Sequence, residues 1–182
     1  ISHWIPGKKA SKNSHKFKRI EFHNRDNDIF NITFLYHFTI IINQMLTDTH
    51  CHLFYDQIKN DLEAVLERAK KMGVNRFICV ATNLEDAHEC LALSQSHENI
   101  FASAGIHPHD AKDAPRDYVK KIYSLMKFDK MVAVGEMGLD YFRNISNSQV
   151  QKDIFRSQMK IAEELDKPII FHNREADDDV LS

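Results

Sequence analysis

Several ingredients that would place this chain in other classes are scarce. It has only three cysteines, Cys51, Cys79 and Cys90, far apart and each in an apolar strand or helix context. They form neither a disulfide framework nor a CxxC metal pair, and read as reduced, buried thiols of a cytoplasmic protein. No glycine-rich phosphate loop follows the first regular strand, which argues against a doubly wound dinucleotide-type sheet. The longest apolar run, residues 29–42, is interrupted by Asn31, Thr33, His37 and Thr39. It is too short and too polar to span a membrane, and no small-residue cleavage site follows the basic stretch before it, as a signal peptide would require. An excess of one charge is missing too, the formal net being −2. Residues 1–44 hold seven Lys/Arg against three Asp/Glu, a net of +4, so the remaining 138 residues carry −6. Such a body has no broad basic face, and a polyanionic substrate would have to be held by a metal and a few local Arg/Lys.

What is present reads as a globular chain, 43% apolar and 27% charged, with a length that fits one domain and a tail. Residues 1–28 are rich in Lys, His, Asn and Ser without hydrophobic period, and are expected to be disordered. A basic arm that touches nucleic acid is the sharper alternative for them. Residues 29–42 could form a strand, but nothing nearby pairs with it. The pattern becomes regular at Met45, which is the expected start of the folded part. Residues 1–44 are then an upstream extension, disordered or spurious, and residues 45–182 the domain.

From Met45 onward, strands and helices alternate. A short buried strand runs into His50-Cys-His52, and Leu62, Val65, Leu66, Ala69 and Met72 recur at helical spacing before Gly73. Residues 76–81 are a strand, and Asn83 caps a helix carrying Leu84, Ala87 and Leu91. A third strand ends in Gly105-Ile-His-Pro-His109, and Pro115 opens a third helix. Residues 131–136 are a fourth strand, and Ser146 or Ser148 caps a helix bearing Val150, Ile154, Ile161 and Leu165. Pro168 to His172 is a fifth strand, with a last helix from Glu175. This rhythm predicts parallel βαβ units with strands covered on both faces. Chemistry-bearing groups stand at successive strand ends (His52, Asn83, His107, Glu136, His172). That convergence at one rim predicts an α/β fold of the (β/α)8 TIM-barrel type, of which about the first five β/α units are present.

Side chains alternate along a strand, so His50 and His52 leave on one face with Asp48 beneath them. The spacing alone is weak: with 11 histidines in 182 residues, chance supplies about 0.7 His-x-His pairs, and His107-Pro-His109 is a second one. Val132, Val134 and Glu136 are expected to share a face, as are Ile170 and His172. A lone histidine at a strand end commonly does no more than bond a carbonyl. Four groups at equivalent places point instead to a metal site at the barrel mouth. Three imidazoles and a carboxylate suit a first-row divalent ion, Zn or Mn at least as well as Mg. A carboxylate can also bridge two ions, which clamp the attacking and leaving oxygens of a phosphodiester.

Thr47-Asp-Thr-His-Cys-His-Leu53, Gly105-Ile-His-Pro-His109, Gly135-Glu-Met-Gly-Leu-Asp-Tyr141 and Ile169-Ile-Phe-His-Asn-Arg-Glu-Ala176 together resemble the TatD family of metal-dependent deoxyribonucleases, among the amidohydrolase-like barrels. The resemblance runs from Met45 to Ser182. It implies that His50 and His52 bind a first metal, that Glu136 bridges two divalent ions and is catalytic, and that His172 binds the second. His107, with Arg143 and Arg174, would meet substrate phosphate, the plainer reading of either arginine being a surface ion pair. Asn173 stands where the family commonly has Ser. The family's further metal-ligand His and catalytic Asp fall beyond Ser182, so an inactive fragment is one expectation for the chain as given. For the parent protein, the resemblance implies a cytoplasmic nuclease that hydrolyses phosphodiesters of single-stranded DNA or duplex ends, with 3′→5′ exonuclease action. No membrane and no obligate protein partner are inferred. A hydrolase of amide or aminoacyl-ester bonds is the alternative, since the same centre polarises carbonyls.

Overall fold

A computed structural model describes residues 45–181. The expectations for residues 1–44, including disorder, a basic arm or a strand over 29–42, lie outside the described residues. Five strands, β1 (Leu46–Cys51), β2 (Val74–Cys79), β3 (Ile100–Ala104), β4 (Met131–Asp140) and β5 (Ile169–Arg174), lie in the sheet in chain order. Every neighbouring pair is parallel. Between them run α1 (Asp56–Lys59), α2 (Leu62–Lys71), α3 (Leu84–Ser96), a 3-10 turn at Ala111–Asp113, α4 (Tyr118–Leu125) and α5 (Ser148–Glu164), with α6 (Asp177–Val180) after β5. Parallel neighbours joined by helical crossovers are βαβ units, and the five form a half-barrel of the (β/α)8 type. The strand order never reverses, which excludes the doubly wound alternative and its switch point.

Local chemistry sets most boundaries. The Asn83 side chain accepts the Asp86 N–H at 2.9 Å and caps α3, and Gly73, at φ 89°, ends the turn after α2. Three expected starts shift. The cap of α5 is Asn147, which accepts the Gln149 N–H at 2.9 Å, because the Ser146 hydroxyl is engaged by the His109 carbonyl. Pro115 precedes rather than opens α4, which begins at Tyr118. Glu175 takes a left-handed φ of 54°, so α6 begins two residues later.

The core lies between sheet and helices. It gathers Phe77 and Cys79 from β2, Ile100, Ala102 and Ala104 from β3, Met131, Val134 and Met137 from β4, and Ala87, Leu91, Ile122, Leu125 and Ile161 from the helices. Burying each large side chain there stabilises the fold by about 1.5–3 kcal/mol. Val134 therefore faces the helices and not the barrel mouth, contrary to the expectation that it shares a face with Glu136. Its core partners on β4, Met131 and Met137, recur every third residue, with register slips against β3 between Met131 and Ala133 and against β5 between Val134 and Met137. All three cysteines are free; Cys79 and Cys90 are buried and Cys51 half-buried.

The expectation of strands covered on both faces holds for the middle of the sheet only. Residues 46–50 of β1 are exposed, and β5 exposes Ile169 and Phe171. Both are sheet edges, with no further strand beside them among the described residues.

Two glycines are required where β4 meets β5. Gly135 and Gly138 sit at φ 130° and 143°, and a Cβ on them would overlap the carbonyl oxygens of Ile170 and His172 respectively. Gly138→Ala is expected to cost about 2–4 kcal/mol, read as a lowered denaturation midpoint. An unchanged midpoint would mean that the two strands do not approach this closely.

Candidate metal centre

The rim of the half-barrel collects its ionisable groups on Glu136. Glu136 lies inside β4 and His172 inside β5, not at the strand ends expected, while His52 and His107 follow the ends of β1 and β3. The Glu136 backbone N–H donates to the Ala81 carbonyl at 2.9 Å, which fixes where its side chain leaves the strand. Its two carboxylate oxygens then face different histidines. Oε2 is 3.4 Å from His50 Nε2, whereas Oε1 is 3.5 Å from His172 Nδ1 and 4.0 Å from His107 Nε2.

Two potential ligand groups follow, His50–His52–Glu136 and His107–Glu136–His172, each with its ligand atoms within 4.8 Å of one another. Two atoms bound to one ion by bonds of about 2.1 Å stand about 3.0–3.4 Å apart, so the His50 and His172 separations from Glu136 suit coordination better than hydrogen bonding. The imidazoles are also prepared. His52 Nδ1 lies 2.7 Å from the Val80 carbonyl, so Nδ1 carries the proton and Nε2 keeps its lone pair. His172 Nε2 donates to Asp140 Oδ2 at 3.0 Å, which leaves Nδ1 free on the Glu136 side. The residues thus fit a divalent cation, with Glu136 common to both groups.

His107 is the exception within its group. Its Nδ1 accepts the His109 N–H at 3.1 Å, so the proton of the neutral ring is on Nε2, the atom nearest Glu136. Burial, helped by the neighbouring His172 and His109, holds its pKa down to about 3. A neutral imidazole with its N–H aimed into the site is a hydrogen-bond donor for an anionic oxygen rather than a metal ligand.

Asp140 was not singled out from the sequence, yet it is the fully buried group behind the site. Oδ2 accepts from His109 Nε2 at 2.8 Å and from His172 Nε2 at 3.0 Å, and Oδ1 accepts the Arg143 N–H at 2.8 Å. Burial alone would raise its pKa; the Arg143 N–H and the two imidazoles outweigh that and bring it to about 2. The second His-x-His pair is thereby explained. His109 anchors to Asp140, while His50 and His52 face the ligand cluster. Ser103, buried below the rim, accepts the Ala81 N–H and donates to the Gly135 carbonyl at 2.5 Å, tying β2 to β4.

The two arginines differ. The exposed Arg143 contributes its backbone N–H to Asp140, and the structure gives its side chain no partner among the described residues. The Arg174 guanidinium lies 3.9 Å over the exposed Phe142 ring, a cation–π contact at the rim and not the surface ion pair considered for it. Tyr55, also exposed, stacks on His52 with ring centres 5.1 Å apart. Asn83 is occupied in capping α3.

Parallel β/α units with a histidine–carboxylate cluster at the strand rim define a metal-site (β/α)8 hydrolase architecture. The chain belongs to the TatD-related DNase family, whose model matches residues 47–182. It is 41% identical over 138 residues to the uncharacterized metal-dependent hydrolase YabD of Bacillus subtilis, covering 76% of this chain and 54% of that protein. It is 36% identical over 129 residues to the 3′-5′ ssDNA/RNA exonuclease TatD of Citrobacter rodentium, covering 71% and 49%. The crystal structure of YjjV, a TatD homologue from Escherichia coli K12, matches with a TM-score of 0.70 at 33% identity, covering 76% of this chain and 54% of that one. The chain spans about half the length of the curated relatives it matches. Among the described residues, no helix is long and apolar enough to cross a membrane.

Proposed function

We propose that the protein to which this chain belongs is a divalent-metal-dependent phosphodiesterase that removes nucleotides from the 3′ ends of single-stranded DNA or RNA. The observation that carries this reading is the division of Glu136, with one carboxylate oxygen toward His50 and the other toward His172. His50, His52 and Glu136 would hold one ion, and Glu136 with His172 a second, of which Mg, Mn and Zn are the candidates. Two such ions neutralise charge on a phosphoryl group and clamp its oxygens. The chain's own side chains do the rest. His107 donates its Nε2–H to a phosphate oxygen, a neutral donor that adds no competing charge beside the ions. Arg174, held over Phe142, supplies a local cation at the rim. Tyr55 and Phe142 are exposed aromatics, and a ring side not covered by His52 or Arg174 would take a splayed base of a single strand at about 1–3 kcal/mol. Relatives named as 3′-5′ ssDNA/RNA exonucleases support the polarity and the strand preference. Three thiols, none in a disulfide, agree with a cytoplasmic location.

The test is a substrate panel. The whole protein, stripped with a chelator and resupplied with Mg, Mn or Zn, is given end-labelled single-stranded DNA and RNA, duplex DNA, an amide and an aminoacyl ester. Metal-dependent release of mononucleotides from 3′ ends of single strands is the expected result. Turnover of the carbonyl substrates with intact oligonucleotides would replace the phosphodiesterase reading with the amide or ester alternative.

A further inference from the structure

The buried face of α5 carries two glutamines beside Ile161 and Ala162. Gln151 and Gln158, seven residues apart and so on one stripe, have no exposed surface, while Ile154 and Phe155 between them are only partly buried. A buried primary amide left without partners costs about 1–3 kcal/mol, so the sequence does not place two there for packing alone.

Both amides are satisfied in the same way. Gln158 Oε1 accepts the Ile106 N–H at 2.7 Å, and its Nε2 donates to the Ile106 carbonyl at 3.0 Å. Gln151 Oε1 accepts the Asp140 N–H at 2.8 Å, and its Nε2 donates to the carbonyls of Asp140 at 3.2 Å and Ser146 at 2.6 Å. Each side chain therefore closes on both backbone polar groups of one residue, as a neighbouring peptide would. It does so where strand pairing runs out, just beyond β3 and at the end of β4. The residues gripped are not arbitrary. Ile106 directly precedes His107, and Asp140 holds His109 and His172. Ser146, at the entrance to α5, also donates to the His109 carbonyl at 2.9 Å.

The other half of the site has separate support. His52 is fixed by Val80, and the His50 backbone by its N–H to Asp48 Oδ1 at 3.1 Å, bonds that do not involve α5, although the His107 N–H also donates to the Thr82 carbonyl at 2.7 Å.

We propose that Gln151 and Gln158 are positioning residues that lock the His107/His172 half of the site to one rigid helix, independently of the His50/His52 half. Leu or Met would fill the same space but leave the amides and carbonyls of Ile106 and Asp140 unpaired, so the cost appears as loosened geometry at His107 and His172. This rests on the proposed reaction only for its consequence in turnover, since the geometry itself can be read without metal or substrate.

Histidine ring 15N spectra of the metal-free whole protein provide the test, with Gln151→Met and Gln158→Met, and with Gln151→Glu and Gln158→Glu, which keep the acceptor but can donate only when protonated. In the parent protein, His107 and His172 are expected to carry the proton on Nε2 and His52 on Nδ1. The Gln158 variants are expected to shift or broaden His107, and the Gln151 variants His172 and His109, with His52 unmoved in all. Turnover on single-stranded DNA should fall about 10–100-fold in kcat, with KM changed by less than about threefold. Ile161→Val, an apolar change on the same helix, should lower Tm while leaving every ring signal in place. Unchanged ring signals in the glutamine variants, or His52 moving together with the others, would overturn the proposal. Ring signals that behave as expected in a protein without nuclease activity would sink the reaction and leave the positioning intact.

Discussion

Glu136→Gln is expected to lower the proposed metal-dependent nuclease turnover by about 10³-fold or more, equivalent to about 4 kcal/mol of lost transition-state stabilisation, while leaving the fold near its original stability. The substitution keeps volume and shape but replaces one ligand oxygen by an amide NH2, which cannot coordinate. Because the two oxygens serve different histidine groups, one of the two sides loses its carboxylate whichever way the amide turns. The fold survives because the strand is held by the Glu136 backbone N–H on the Ala81 carbonyl, which the substitution does not touch. Removing a nearly buried charge also relieves its desolvation. A binding readout separates ion loss from unfolding. The parent protein should gain Tm when Mn2+ is added, by the ordinary linkage of a ligand to the folded state, and Glu136→Gln should lose most of that gain. Full turnover in the variant would remove Glu136 from the centre of the site.

The parts of this centre readable in the sequence were those governed by a short period. His50 and His52 share a face because strands alternate, and the order of strand and helix segments gave the parallel sheet. The unread parts depend on what lies across the barrel. Asp140 has the same strand parity as Glu136 and ends an apolar run, a signal that was available. Its task is visible only once His109 and His172 arrive from other segments. Of the apolar positions expected on α5, Ile154, Ile161 and Leu165 do pack on the core; Val150 is exposed, and Gln151 and Gln158 are buried beside them. An apolar count misses them because the helix faces strand ends whose amides and carbonyls need partners there. Burial of β1 also differs from the sequence expectation. Its composition fits a covered strand, but cover depends on neighbours that composition does not supply.

The edges follow from the same fact, and they carry the largest expected effect on the behaviour of the 182-residue chain expressed alone: it should self-associate through β1 and β5. Among the described residues each edge strand pairs on one side only, β1 with β2 and β5 with β4. The outer N–H and C=O groups of both form a template for another chain. Exposed apolar side chains lie along the same edges, with Leu46 at 51%, Ile169 at 39% and Phe171 at 51% relative exposure. Covering three such side chains contributes a few kcal/mol at about 25 cal/mol per Å2. New ladder hydrogen bonds add about 0.5–1.5 kcal/mol each, and a fold stable by only about 5–15 kcal/mol has little margin to resist that pull. Light scattering after size exclusion should show oligomers whose size grows with concentration. Phe171→Lys, which places a charge on the β5 edge two strands from β3 and outside the histidine–carboxylate cluster, should shift the distribution toward monomer. A concentration-independent monomer for the unmodified chain would show that both edges are already covered.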